Sequence, residues 1–285
     1  MSVTTYLLDK ARQLRPTLSN RLCHVASYTR ELPVSLERMY ENAIDGEHLP
    51  FLHSSTFSFI TITASGAWGW RAKSALQPES FFNRMELELT LDREKNRWVT
   101  RTLSGLGKGT EVWTHAIPLE KNKIKVIVDF YIPKLPRALK DFYARHYETL
   151  YAQLYDEDLW MMSTRQIALD QRAIINSTEA VDRVALGELC EIQDKLPYIF
   201  SFNARTYRIV ESRGELIAHS MSCPHMLGPL QDAETKDGVL ECPWHGYQFD
   251  LRTRACISGQ KCNLAPAPKL SIDEESKLVY AEKPD

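Results

Sequence analysis

Two short segments of this chain, Cys223-Pro224-His225 and Cys242-Pro243-Trp244-His245, each pair one cysteine with one histidine. Sixteen residues separate His225 from Cys242. Two loops of this kind bring two soft thiolates and two imidazoles to one place. That is the donor set of a [2Fe–2S] cluster in which two histidines replace two cysteines on one iron, which raises the reduction potential. Pro224 and Pro243 stiffen the loops, and Gly228 and Gly246 permit tight turns beside the cluster. A structural zinc ion also accepts two cysteines and two histidines. Zinc fingers, however, use C-x2–4-C and H-x3–5-H pairs rather than one cysteine and one histidine from each loop. A cluster held by Cys223, His225, Cys242 and His245 requires the last third of the chain to fold as short strands and hairpin-like loops, and its Pro and Gly punctuation from Leu186 onward agrees.

A length of 285 residues suggests two domains. Apolar residues make up 44% and charged residues 25% of the chain, with a formal net charge of −2. No broad basic field calls for nucleic acid or an anionic membrane. The N-terminus, MSVTTYLLDKARQ, lacks the apolar stretch of a signal peptide, and no apolar run is long enough to span a bilayer. The expectation is a cytoplasmic protein. Of the six cysteines, Cys190, Cys256 and Cys262 match no ligand position and read as core or surface thiols.

The first 40 residues look polar and helical in flavour, broken at Pro16 and Pro33, and residues 34–48 read as a helix that stops near His48 ahead of Pro50. From Thr56 the apolar period changes to two. Segments 56–64, 68–74, 84–92, 97–105, 110–119 and 123–132 read as strands of an antiparallel sheet. Residues 138–171 hold no Gly or Pro and repeat apolar residues at helical spacing, so they read as one long helix. The layout is α+β: a domain over 1–171, a linker over 172–184, and an all-β domain over 185–285.

A second constellation is Asp45-x-x-His48-x-x-x-x-His53. If the helix runs to His48, Asp45 and His48 share one of its faces, and the break at Pro50 lets the chain swing His53 back toward them. Two histidines at one point are half of the 2-His-1-carboxylate set that holds Fe(II) with open positions. A carboxylate would come from the long helix, where Asp156, Glu157 and Asp158 are all candidates.

The stretch CPHMLGPLQD…GVLECPWHGYQFDLRTRACISG resembles the Rieske domain of the ring-hydroxylating oxygenases and their ferredoxins. The respiratory Rieske type carries an extra cysteine in each loop, which Met226–Leu227 and Trp244 replace here. Residues 41–57 likewise resemble the iron-ligand segment of the oxygenase catalytic domain. The resemblance implies several things. The third iron ligand is the second acid of an acid–Asp pair, Asp158. Asp45 bridges His48 to a cluster histidine of a neighbouring subunit, and Asn42 sits at a near-iron amide position. The N-terminal domain is a helix-grip (START-like) fold with a curved sheet and an apolar pocket between sheet and long helix. The usual oxygenase puts its Rieske domain first. Here the order is reversed, with a head-to-tail homotrimer still the default.

The expected function is a terminal oxygenase. Electrons reach the [2Fe–2S] cluster from an external NAD(P)H-dependent reductase, directly or through a ferredoxin. Mononuclear Fe(II) on His48, His53 and Asp158 then uses O2 to hydroxylate, dealkylate or desaturate a small apolar or aromatic substrate. No G-x-G-x-x-G fingerprint occurs in the chain, so the reductase is a separate protein. The rival expectation is a Rieske electron carrier fused to a non-catalytic domain that binds an apolar ligand.

Overall fold

The computed structural model describes residues 22–175 and 180–284. Grouped by their contacts, the described residues form two units, one up to Met162 and one from Ser163 onward.

The first unit is built on a seven-stranded antiparallel sheet. Its strands are β1 (Leu22–Leu32), β2 (Phe57–Gly66), β3 (Gly69–Leu76), β4 (Arg84–Asp92), β5 (Arg97–Gly105), β6 (Glu111–Glu120) and β7 (Lys123–Pro133), in the order β1-β7-β6-β5-β4-β3-β2. Helices α1 (Leu36–Ile44) and α2 (Leu49–Leu52) connect β1 to β2, and α3 (Lys140–Ile175) follows β7. Period-two alternation places Ile124, Val126, Val128 and Phe130 of β7 fully inside. The face they form is covered by α3, whose Tyr147, Tyr151, Tyr155 and Met162 recur at helical spacing and pack into the same core. Phe130 stacks on Tyr147 at 4.5 Å between ring centroids and meets Tyr151 edge-on at 4.7 Å. Trp70 of β3 donates its indole N–H to the Ala43 carbonyl at 3.0 Å, tying α1 to the sheet.

Six strands and the long helix lie where alternation and periodicity put them. Two expectations need correction. Residues 22–32 are a strand, not helix. β1 pairs with β7, with a register slip between His24 and Ala26, and its inward positions Ala26, Tyr28, Arg30 and Leu32 mix apolar and polar types, so the alternation is faint in the sequence. The part of the helical expectation before Leu22, with Pro16, lies outside the described residues. The helix expected over 34–48 ends at Ile44. Asp45 is its C-cap, with its backbone N–H on the Glu41 carbonyl, and Pro50 stands in the first turn of a new helix rather than breaking the old one.

The second unit holds three small antiparallel sheets. β8 (Arg183–Glu188) pairs with β16 (Leu278–Glu282), which pairs with β15 (Lys269–Ile272). β9 (Tyr198–Phe202), β10 (Arg205–Ser212) and β11 (Glu215–Ser220) form a meander, and β12 (Thr235–Lys236), β13 (Val239–Glu241) and β14 (Gln248–Asp250) form another. A short helix α4 (Leu189–Asp194) caps a core that includes Ile192, Phe200, Ile209 and Val279. Of the expected linker, 172–175 belong to α3, 176–179 lie outside the described residues, and Arg183 begins β8. No helix among the described residues is long and apolar enough to cross a membrane.

Phe130 joins the sheet to the helix that carries Asp158. Phe130→Ala is expected to cost about 3–5 kcal/mol through lost burial and the cavity left behind, measured as a lower urea midpoint for the full chain.

Candidate functional site

In the first unit, the α1–α2 connection and α3 bring four polar side chains to one buried point. His48 is the N-cap of α2 and His53 its C-cap, so a single helical turn holds both rings on the same side. The rings meet edge-on at 5.2 Å. Gly46 lets the connection pack closely on the sheet, because a Cβ there would lie 3.2 Å from both Ile62 and the Trp70 ring. Asp158 rises from α3 opposite. Its Oδ1 lies 3.2 Å from His53 Nε2 and 3.5 Å from His48 Nε2, and accepts a hydrogen bond from Asn42 Nδ2 at 2.7 Å. One ligand atom from each of His48, His53 and Asp158 falls within 4.8 Å of the others, and all three residues are buried. This is the one such grouping of three His, Cys, Asp or Glu donors among the described residues.

Burial pulls the His48 imidazolium down, but the Asp158 and Asp45 carboxylates outweigh it and push His48 up to about 10. Burial likewise raises Asp158, and its contacts with His48 and His53 overrule that and hold it far below the usual carboxylate range. The site therefore favours bound positive charge. Two imidazoles and a carboxylate with a shared focus suit a divalent first-row metal with open positions, so these residues fit mononuclear iron.

Asp45 and His48 do not lie on one helix face, because α1 has already ended. Asp45 Oδ2 is 3.7 Å from His48 Nδ1, longer than a hydrogen bond. Asn42 contacts the Asp158 carboxylate. Of the three acids on α3, Asp156 is exposed and pairs with Arg30 at 2.7 Å. Glu157 is not a solvated charge. Its Oε2 lies 2.5 Å from His53 Nδ1, and its Oε1 accepts from Gln153 Nε2, which also reaches the Ser55 hydroxyl at 2.7 Å. Sequence reasoning missed this role. The signals were the four-residue spacing of Gln153 and Glu157 on α3 and a serine two residues past His53.

A cavity of about 150 Å³ opens at these residues, between the sheet and α3. Phe57 and Trp70 line it, as do Leu87, Leu89, Thr100 and Tyr155. Burial, together with the Asp158 carboxylate, pushes the Tyr155 hydroxyl well above its usual range, so it stays protonated. Other aromatic residues of the first unit lie away from the cavity. Phe81 and Phe82 are 82% exposed, Phe51 and Trp160 are also exposed, and Phe130 is sheet–helix core.

In the second unit the two Cys–His loops share one backbone design. Cys223 N–H donates to the Gly228 carbonyl and Leu227 N–H to the Cys223 carbonyl, at 2.8 and 3.1 Å. Cys242 N–H donates to Tyr247 and Gly246 N–H to Cys242, both at 2.9 Å. The fifth residue of each loop is left-handed, Leu227 at φ 63° and Gly246 at φ 62°. Gly246 thus supplies the turn expected of it, whereas in the first loop the turn falls on Leu227. Gly228 is needed for a different reason, since a Cβ would sit 3.0 Å from the Trp244 ring and 3.1 Å from Cys242 Sγ. The buried Cys223 and Cys242 thiols hydrogen-bond each other, which raises the first and lowers the second. The His225 and His245 rings meet at 4.6 Å, with Tyr247 stacked on His225 at 4.7 Å. Cys242 also hydrogen-bonds His245, so the two loops bring two thiols and two imidazoles together, the donor set of a [2Fe–2S] cluster with two histidines.

Residues 182–268 match the Rieske [2Fe-2S] domain. The Rieske domain supplies the [2Fe–2S] site and with it a capacity for electron transfer. No curated protein matches the chain. Among solved structures, truncated norcoclaurine synthase from Thalictrum flavum is 19% identical, over 50% of this chain and 94% of that one, with a TM-score of 0.38. The Zhui aromatase/cyclase from Streptomyces sp. R1128 is 11% identical, over 50% and 95%, at 0.41. A START superfamily protein from Mycobacterium smegmatis is 17% identical, over 47% and 91%, at 0.36. The helix-grip description rests on the seven-stranded order and the long helix packed on it.

Glu157→Gln removes the negative charge from His53 Nδ1 while keeping its shape. Metal affinity of the first unit is expected to fall roughly 10- to 100-fold, read by competition with a chromogenic chelator. Gly228→Ala forces a methyl against Cys242 Sγ and the fully buried Trp244, so it is expected to lower acid-labile sulfide per chain while the first unit still binds metal.

Proposed function

We propose that this chain is the terminal oxygenase of a multicomponent system, oxidising a small neutral apolar or aromatic substrate with O2. The observation that carries the reading is the convergence of buried His48, His53 and Asp158 at the mouth of an apolar cavity, in a chain that also has a Rieske domain. When bound, Fe(II) on this donor set keeps positions open for dioxygen, and the Rieske cluster supplies electrons. His48, His53 and Asp158 are the iron ligands on this reading. Asn42 steadies Asp158 and Glu157 steadies His53, each through the hydrogen bond already described. Electrons come from a separate NAD(P)H-dependent reductase, directly or through a ferredoxin. The oligomer is a homotrimer, with Asp45 linking His48 to a cluster histidine of a neighbouring copy.

The cavity narrows the substrate. Its volume of about 150 Å³ is the size that holds a benzene ring. Leu87, Leu89 and Trp98 give it apolar walls, and Thr100 and Thr114 offer hydroxyls to a single polar substituent. No lysine or arginine lines it among the described residues, and the acids Asp45 and Asp158 stand beside the His48 imidazolium at its polar end. Tyr155, held protonated, adds a donor rather than a charge.

Iron and acid-labile sulfide per chain, with an EPR spectrum after reduction, test the reading on anaerobically reconstituted protein. About three irons and two sulfides with a Rieske signal are expected. Asp158→Ala is expected to lose one iron and all turnover and to keep the Rieske signal. About two irons per chain in the unsubstituted protein would favour a Rieske electron carrier with a ligand-binding domain.

A further inference from the structure

Two half-buried free cysteines outside the cluster motif oppose each other across a narrow hairpin of the second unit. Ala255 and Asn263 form an antiparallel bridge, and one step inward Cys256 N–H donates to the Cys262 carbonyl at 3.2 Å. Residues opposed in this way have Cα atoms about 4.5–5.5 Å apart, inside the range a disulfide spans. The two thiols hydrogen-bond each other.

The two sulfurs are chemically unlike. Cys256 Sγ lies 3.2 Å from the Ser258 hydroxyl and 3.5 Å from Gln260 Oε1, while Ser258 donates to the same Gln260 oxygen at 2.9 Å. Burial raises the Cys256 thiol, but the hydrogen bonds it receives, those of the Ser258 and Gln260 backbone N–H groups among them, prevail and lower it. Burial raises Cys262, and the neighbouring Cys256 raises it further. One sulfur is thereby suited to attack and the other to resolve. The hairpin also braces the second cluster loop. Cys256 bridges Phe249, and Ile257 N–H donates to the Gln248 carbonyl, next to the Tyr247 that stacks on His225.

We propose that Cys256 and Cys262 are a redox-active dithiol beside the cluster that closes to a disulfide by exchange with a small-molecule disulfide such as oxidised glutathione. The Cys256 thiolate attacks one sulfur of the oxidant and releases the first glutathione, which takes up a proton. Cys262, on losing its proton, attacks the Cys256 sulfur of the mixed disulfide and releases the second. Two protein thiols are oxidised, one disulfide is reduced to two thiols, and the cluster gives or takes no electron.

The test uses the full, cluster-loaded chain treated with oxidised glutathione, alkylated, cleaved with trypsin and mapped by mass spectrometry. Lys261 lies between the two cysteines, so the disulfide appears as two linked peptides. The expected result is that linkage, with an unchanged cluster absorption spectrum. In Cys262→Ser, glutathione should remain on Cys256, because nothing resolves the mixed disulfide. In Cys256→Ser, glutathione should add to Cys262 on the order of tenfold more slowly than to Cys256 in Cys262→Ser. Exposed Cys23 and Cys190 report that the oxidant was active. If they carry glutathione while Cys256 and Cys262 are both recovered alkylated, the proposal is wrong. It is equally wrong if glutathione stays on Cys256 with Cys262 present.

Discussion

A carboxylate inside an apolar core must be met by donors or positive charge, and Asp158 Oδ1 is met from three directions. The Asn42 amide arrives from α1, and the two imidazoles from either end of α2. These contacts fix where α3 lies along the sheet, and they cannot form unless β1, α1 and α2 are already in place. The aromatic stacking of Phe130 on Tyr147 and of Tyr28 on Tyr155 supplies the apolar counterpart along the same helix. An unmet buried carboxylate would cost several kcal/mol, so the polar focus constrains the packing as much as the packing shelters it.

The parts of the fold that could be read in advance are those where one physical rule acts alone. β4 was legible because Met85, Leu87, Leu89 and Leu91 alternate along it, and α3 because it holds no Gly or Pro. The Cys–His loops were legible because ligand chemistry fixes residue type and spacing together. β1 escaped because its inward positions Ala26, Tyr28, Arg30 and Leu32 are not uniformly apolar. The end of α1 escaped because Pro50 looked like the terminator, whereas the backbone had already left the helix at Asp45.

The candidate site followed the same division. His48, His53 and Asp158 carry donor types that stand out in a sequence, and the structure places them together. Glu157 does not stand out, because an acid on a helix is ordinarily solvated, and only the position of His53 across from α3 gives it a partner. Which aromatic side chains line the cavity could not be read either. Trp70 and Phe57 face it while Phe81 and Phe82 face solvent, a difference set by strand register and by the turn before β4 rather than by residue type.

The cavity divides its labour between two kinds of element. Around His48, His53 and Asp158 the polar side chains Asn42 and Asp45 come from α1 and the turn after it, while Leu87, Leu89, Trp98, Thr100 and Thr114 come from the strands. A strand residue can therefore change in size or polarity without disturbing a ligand or its hydrogen-bonded support. Related chains could diverge in what they accept through the sheet and keep a common chemistry through the helices. Directed evolution of this chain has the same separate handle on selectivity.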